Sequence, residues 1–482
     1  LVYLTLREEG FLVKIKHMNK KFYITTAIDY SNDVIHVGHS YQKLLADVLA
    51  RYHRLIGDET YFLTGTDEHG QKVEKSATEK GIEPKEFVDK IAEEDKREWK
   101  SLDISYDRFI RTTDEDHIKF AQEFYLKSKA AGDIYLSKYE GLYCEGCEAY
   151  LEESDLVDGK CPFHPNKEPQ KLIEENYFFR LSKYQKFIEE LLENNPSFVF
   201  PDSKRREILS FVKSGLRDFS VSRKNVKWGI PVPDDPEHTV YVWFDALINY
   251  LTFGVEKNCW PADIHVLGKD NQRFHAIFWP AMLKSAGYEL PKTILVHDFF
   301  SLNGQKISKS LGNVIRPSEL VAKFGADGVR YFFLRHGPLL GDVDITWNKL
   351  AEVYNADLAN GLGNLVARVA KLCERTSAQY SVLSAQDKFS KEISKQLDNF
   401  RFDEALKIIW GWISKTDKKI EEVKPWVLEG EKLKEALKPW VAEIRKIATS
   451  LQPFLPGTAE KILGQFKGPK IGSSAPLFPR IK

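Results

Sequence analysis

The chain has 482 residues, with 70 basic and 70 acidic side chains, 43% apolar residues and 29% charged ones. This is the composition of an ordinary folded protein of two to four domains, and it excludes the disordered and fibrous classes. No apolar run reaches the ~18–20 residues of a membrane-spanning helix, so an integral membrane protein is excluded as well.

The first seventeen residues include Arg7, Glu8 and Glu9 and lack the Arg/Ser-rich, acid-poor character of a transit peptide. Met18 with Asn19, Lys20 and Lys21 behind it reads as the start, and residues 1–17 as an upstream extension outside the fold. Residues 22–28, rich in β-branched and aromatic side chains, predict a strand, and Asp29, Tyr30, Ser31, Asn32 and Asp33 a loop. From His39, Tyr41, Leu44, Leu45, Val48, Leu49 and Tyr52 recur at helical spacing. Residues 61–63 predict a second strand, ending at Thr64-Gly65-Thr66-Asp67. Strand, helix, strand is a βαβ unit and implies a parallel sheet with ligands at the carboxyl ends of its strands. Residues 107–220 change character, with cysteines, prolines and amphipathic stretches, and read as an insertion. Residues 239–244, 264–267 and 293–296 predict the strands that complete the sheet.

From Asn348 the strand signal ends. Leu358, Leu362, Leu365, Val366 and Val369, then Ala405, Ile408, Ile409 and Ile413, predict a helical bundle. From residue 346 onward there are 23 basic and 16 acidic residues, a net of +7 against −7 before it. That favours a polyanionic partner, although a solvated helical surface explains it equally well. Five cysteines are an odd number, too few to staple so long a chain, which points to a reducing compartment, the cytoplasm.

Two motifs point to phosphate chemistry. His36-Val37-Gly38-His39 lies between the first strand and the first helix, where backbone N–H groups and the helix dipole favour an anion. Its imidazoles can donate to phosphate oxygens, and Gly38 leaves room for a planar ring. Lys306-Ile307-Ser308-Lys309-Ser310, after Leu302-Asn303-Gly304-Gln305, suits a loop that lays ammonium groups on a polyphosphate. Each motif alone is equally well polar surface. A third set, Cys144-Glu145-Gly146-Cys147 and then Cys161-Pro162-Phe163-His164, offers two tight turns with two ligands each, as tetrahedral zinc requires. Disulfides are the alternative, disfavoured by a reducing compartment. Cys259 and Cys373 lie outside the pattern and read as core.

His-x-Gly-His followed far downstream by Lys-x-Ser-Lys-Ser resembles the class I aminoacyl-tRNA synthetases, and residues 24–39, 64–70, 240–250, 267–282 and 296–314 resemble their methionyl-tRNA synthetase family. The likeness runs from about Met18 to the C-terminus. It implies an α/β fold: a Rossmann-type parallel-sheet catalytic domain with a zinc-knuckle insertion, then an all-α bundle that binds the anticodon. The expected boundaries are 18–106 and 221–290 for the two catalytic halves, 107–220 for the insertion, 291–347 for the lysine-loop region and 348–482 for the bundle. The implied activity joins methionine to tRNA(Met) through methionyl-adenylate, with ATP and Mg²⁺, and one structural Zn²⁺ in the knuckle. His36, His39, Lys306 and Lys309 become the catalytic groups, and Gly38, Gly268, Asp270, Ser308 and Ser310 the ATP contacts. Lys269, between those two strand-end residues, resembles the ribose contacts less closely than Asp270.

The resemblance also assigns a methionine pocket of Ile28, Tyr30, Asp67, Trp243, Tyr250, Phe274 and His275. Aromatic walls suit a flexible, polarizable thioether, and a carboxylate suits its ammonium. Trp243 and Phe274 could equally be plain core. Asn364, Arg368 and Trp426 become anticodon readers, since unstacked bases lie on aromatic rings and bond amide or guanidinium edges. Val37 and Ile307 replace the family's commoner residues conservatively. Leucyl-type relatives carry an editing domain for which the insertion leaves no room. A cysteinyl-type enzyme would carry a zinc-ligating cysteine near the first strand, where this chain has Ile28. A small-molecule adenylyltransferase would need neither basic bundle nor knuckle, and a silent tRNA-binding protein would not need both phosphate motifs. A monomer is expected.

Overall fold

The computed structural model describes residues 20–144, 149–151, 156–162, 168–307, 312–376, 379–381 and 389–481. Six strands form the main sheet: β1 (Lys21–Thr26), β2 (Glu59–Asp67), β3 (Arg108–Arg111), β4 (Val199–Phe200), β5 (Ile264–Gly268) and β6 (Thr293–His297). They pair in parallel in the order β3-β2-β1-β5-β6-β4. A short strand, Asp29–Tyr30, pairs with Thr66 and Asp67 at the tip of β2. Strand order runs one way from β1 to β3 and the other way through β5 and β6, so the ligand crevice of such a sheet opens outside the carboxyl ends of β1 and β5.

The first strand is shorter than predicted. It stops at Thr26, the Ala27 N–H makes a last bond to the Val266 carbonyl at 3.0 Å before the ladder breaks, and Asp29 and Tyr30 pair as strand where a loop was expected. The break is held by α1 (Val37–Ile56), whose Lys43 ammonium sits 2.7 Å from the Ala27 carbonyl and 2.9 Å from the Asp29 carboxylate, all buried. Burial pushes Asp29 up and Lys43 down, and each opposes the other's shift by attraction. The helix begins two residues before the expected His39, because His36 caps it.

Residues 239–244 do not complete the main sheet. Thr239 and Val240 end an antiparallel strand, Asp235–Val240, paired with Ser222–Arg223 and Pro231–Val232, and the chain then enters α2 (Val242–Glu256). A run of Val, Tyr, Trp and Phe has strand propensity. Here it is the start of a helix buried on almost every side, and that burial overrides propensity. Within the expected insertion, β3 and β4 belong to the main sheet, while Ile134–Cys144, Ala149–Leu151, Gln170–Phe179 and Phe219–Ser220 form a separate four-stranded sheet.

Beyond Val343–Ile345 no further strand occurs among the described residues. The helical part is built on α3 (Pro317–His336), α4 (Asn364–Glu374), α5 (Phe402–Val423) and α6 (Gly430–Leu451). One continuous apolar core joins it to the sheet, running from Phe22 and Ile24 through α1 and α3 to Phe478. At its centre Arg330 of α3, wholly buried, pairs with Asp47 of α1 at 2.7 Å and donates to the carbonyls of Leu102, Pro453 and Phe454. No helix among the described residues is long and apolar enough to cross a membrane.

Arg330→Met should lower stability by about 3–5 kcal/mol, because it removes one of the two guanidinium partners of the buried Asp47 carboxylate, which keeps Arg51 at 2.8 Å, and leaves the carbonyls of Leu102, Pro453 and Phe454 without their donor. Urea unfolding of the two proteins measures it, and a loss below about 1 kcal/mol would contradict the account.

Candidate active site and its relatives

At the amino end of α1 two histidines cap the helix and each other. His36 Nδ1 accepts from the Gly38 N–H at 3.0 Å, and His39 Nδ1 accepts from the His36 N–H at 3.1 Å. A backbone N–H can only donate, so His36 Nδ1 holds a lone pair; His39 Nδ1 lies within reach of both the N–H and, at 3.3 Å, the carbonyl of His36. The ring centroids lie 4.2 Å apart. A Cβ on Gly38 would fall 2.7 Å from His36 Cε1, so this glycine first makes room for the imidazole of its own cap.

The second motif follows a hairpin in which Ser301 and Leu302 pair with Lys306 and Gln305 across Asn303 and Gly304, both at positive φ. Ile307 is buried in the same core as Val37. Ser308, Lys309 and Ser310 lie outside the described residues, as does the Lys306 side chain. Just past them, the Ile315 carbonyl accepts from the Val37 N–H at 2.9 Å, so the far end of the lysine loop is fastened to the first residue of α1.

Across the crevice, Gly268 ends β5, and a Cβ there would lie 2.9 Å from Asp270 Oδ1, which folds over it. Lys269 turns away: its ammonium pairs with Asp342 at 2.6 Å and Asp298 at 3.5 Å. Its ammonium helps hold the loop after β6, where Asp298 lies and where Asp342 accepts from the Phe299 N–H.

The expected methionine residues form two groups. Trp243 and Tyr250 sit seven apart on α2, two helical turns and so one face. Phe274 and His275 lie on a π-helical turn, Phe274–Phe278. Trp243 and Phe274 stack at 3.6 Å with both rings half-buried, so neither is plain core. His275 Nδ1 donates to the Asn271 carbonyl at 2.9 Å, so Nε2 accepts from the Tyr250 hydroxyl at 2.7 Å. Burial brings His275 down to about 4. Ile28 packs at the edge of the same cluster, whereas Tyr30 packs against a separate small core of Val73, Ala77, Phe87, Val88 and Ile91. The groups meet through Tyr250, whose ionisation is opposed by burial first and then by the nearby Asp29 and Asp67 carboxylates.

Sequence reasoning missed the residues that hold these walls in place. Asp245, wholly buried on α2, is gripped by His69 Nδ1 at 2.7 Å and His117 Nε2 at 2.6 Å, which pins the loop after Asp67 to α2. Burial alone would raise Asp245, but the two imidazoles hold it below the usual carboxylate range. Trp228 donates to the Glu68 carbonyl at 2.6 Å, and Gln42 donates to Ala27 and Asp29 at 3.3 Å. Gly70 beside His69 was a turn signal; nothing local marked Asp245, His117 or Trp228.

In the helical part, Asn364 is exposed at the start of α4. Arg368, one turn on, is held by Asp417 at 3.4 Å and Glu421 at 2.6 Å of α5. Trp426 follows α5 on a tight turn, 45% exposed, and its carbonyl accepts from Arg375 of α4 at 3.3 Å. Of the expected metal ligands, Cys144 and Cys161 are buried, and Cys147 and His164 lie outside the described residues.

Residues 22–171 and 164–370 match the family model for class I tRNA synthetases (M), and residues 380–482 the model for the anticodon-binding domain of tRNA ligases. Methionine–tRNA ligase of Caldanaerobacter subterraneus is 45% identical over 85% of this chain and 67% of its own length. That of a Nostoc species is 41% identical over 85% and 82%. The chain belongs to the methionine–tRNA ligase family. Among solved structures, Mycobacterium tuberculosis methionyl-tRNA synthetase bound by methionyl-adenylate superposes with a TM-score of 0.88 at 35% identity, covering 95% of this chain and 100% of that one.

His275 and His297 are both buried and both brought to about 4. Unfolding restores a value near 6.5, so the unfolded chain binds more protons between those limits and stability is lost as pH falls through them. Unfolding free energies from urea titrations at pH 7 and pH 5 should differ by about 2 kcal/mol for each histidine, and His275→Gln should shrink the difference by one such share.

Proposed function

We propose that the crevice outside β1 and β5 runs the reaction of this family, the ATP-dependent ligation of L-methionine to tRNA(Met) through methionyl-adenylate. The observation that carries this reading is the hydrogen bond from Val37 to Ile315, which fastens the lysine loop to the helix end presenting both imidazoles. The methionine carboxylate attacks the α-phosphorus, forming a C–O–P linkage and releasing pyrophosphate. A hydroxyl of the terminal tRNA ribose then takes the acyl group and releases AMP. Charge gathers on phosphate oxygens in the first step, so catalysis is positioning and electrostatic stabilisation. His36 and His39 donate through their imidazole N–H groups, and Lys306 and Lys309 supply ammonium groups. Gly38, Gly268, Asp270, Ser308 and Ser310 seat the nucleotide, with Mg²⁺ carried in on ATP. Asp67 takes the methionine ammonium, and Ile28, Tyr30, Trp243, Tyr250, Phe274 and His275 wall its side chain.

Cys144, Cys147, Cys161 and His164 would hold one zinc ion, and the fit is supported by the burial of two of the thiols, at 1% and 0% exposure, Cys144 at the end of a strand of the small sheet. When bound, the ion would cross-link the two segments that carry these pairs. Asn364, Arg368 and Trp426 would read the anticodon. The exposed Trp426 ring offers a stacking platform, and an incoming base competes with Asp417 and Glu421 for Arg368. The buried thiols Cys259 and Cys373 are consistent with a cytoplasmic protein.

ATP–pyrophosphate exchange with each of the twenty amino acids tests the activity: methionine alone should support exchange, and exchange with cysteine, or with none, would overturn the reading. Lys309→Ala should slow methionine-dependent exchange by about 10²–10³, and a near wild-type rate would remove Lys309 from the machinery. Elemental analysis should find one zinc per chain, lost in Cys144→Ser and Cys161→Ser. A folded, active protein without zinc would refute the knuckle.

A further inference from the structure

Asp67 is the last residue of β2, and the three residues after it are each held by a distant segment. Glu68 is wholly buried, and its carboxylate takes the Arg111 guanidinium at 2.6 and 2.9 Å and the hydroxyls of Thr66 and Thr113 at 2.6 Å each. Trp228 clamps the same stretch at two points. Its indole N–H donates to the Glu68 carbonyl at 2.6 Å, and its own carbonyl accepts from the Gly70 N–H at 3.0 Å. Between these, His69 reaches Asp245 of α2.

Each oxygen of the buried Asp245 carboxylate meets one imidazole, His69 Nδ1 at 2.7 Å and His117 Nε2 at 2.6 Å. His117 belongs to the helix Glu115–Ala130, so one side chain ties three segments together. A buried ionic group adds little to stability over a well-packed apolar residue, and the use that warrants one is the fixing of a register. Asp245 stands on α2 between Trp243 and Tyr250. Through His69 it sets how far those two rings lie from Asp67, the residue assigned to the methionine ammonium. That separation spans a bound amino acid from its ammonium to the end of its side chain.

We infer that Asp245 is a positioning residue for amino-acid selection: through His69 it holds the ammonium end and the side-chain end of the pocket at the separation that fits methionine, and so rejects homologues one methylene longer or shorter. This rests on the methionine pocket proposed above. An apolar pocket distinguishes one methylene by about 10–200-fold, and it does so only while its walls keep their places. A misplacement of about 1 Å can cost a reaction about 10²-fold, so a slackened clamp loses this discrimination.

Pyrophosphate exchange is compared for wild type, Asp245→Asn and His69→Gln, using L-methionine, L-ethionine, which is one methylene longer, and S-methyl-L-cysteine, which is one shorter. Wild type should prefer methionine to each homologue by about tenfold or more in kcat/KM. Asp245→Asn, of the same size without the charge, should raise the KM for methionine about tenfold, leave the KM for ATP within about twofold, and narrow the preference over at least one homologue to about threefold. His69→Gln, which leaves Asp245 paired with His117, should narrow it more mildly, and it carries the comparison if Asp245→Asn does not fold. A preference left intact in the folded variants overturns the inference, whatever happens to the KM values, and makes Asp245 a purely structural residue. A wild type that uses the three amino acids equally overturns it too. Wild type failing to exchange with methionine at all would instead sink the pocket itself, so the two failures are distinguishable.

Discussion

The buried contact of Lys43 with the Asp29 carboxylate and the Ala27 carbonyl governs how the site is assembled. Parallel strands need a continuous ladder, and β1 gives its ladder up past the Ala27 N–H just where the crevice opens. The carbonyl released there would be an unsatisfied acceptor in the core if the lysine of α1 did not reach it. In return, the break lets Ile28 turn toward the aromatic cluster and Tyr30 toward Asp67, while α1 is drawn against the strand end that it caps.

α1 is consequently fastened along its length. Its first turn is closed by His36 and His39 and tied to Ile315, its second turn holds the strand break, and its middle meets Arg330 through Asp47. Arg330 in turn binds Pro453 and Phe454, beyond the end of α6. The element that presents the imidazoles and the helical part are thus parts of one packed body. The same economy appears across the crevice, where Asp245 binds two histidines from separate segments and fixes α2, with Trp243 and Tyr250 on it, against the loop of Asp67.

What was legible follows the range of the interaction. His36-Val37-Gly38-His39 and the lysine loop were visible because each is a local run whose chemistry does not depend on distant residues. The helical bundle was visible because its apolar period is local too. Residues 239–244 misled because propensity is read over a few residues, whereas burial on all faces depends on partners remote in sequence, such as the helix that carries His117 and the cluster around Trp279. The ion pairs of Lys269 were invisible for a similar reason: Asp298 follows β6 and Asp342 precedes Val343–Ile345, both far from it in sequence.

Sequence by itself determined the phosphate motifs, the division into a sheet-based part and a helical part, and the residue types of the pocket, since composition and short-range spacing carry all of these. Only the tertiary structure decided which nitrogen of the His36 imidazole faces outward, which carboxylates are already engaged, and that Asp245 joins the two ends of the pocket. Those depend on hydrogen bonds and burial between segments far apart in the chain, and a proton's position on a ring is fixed by its partner in space.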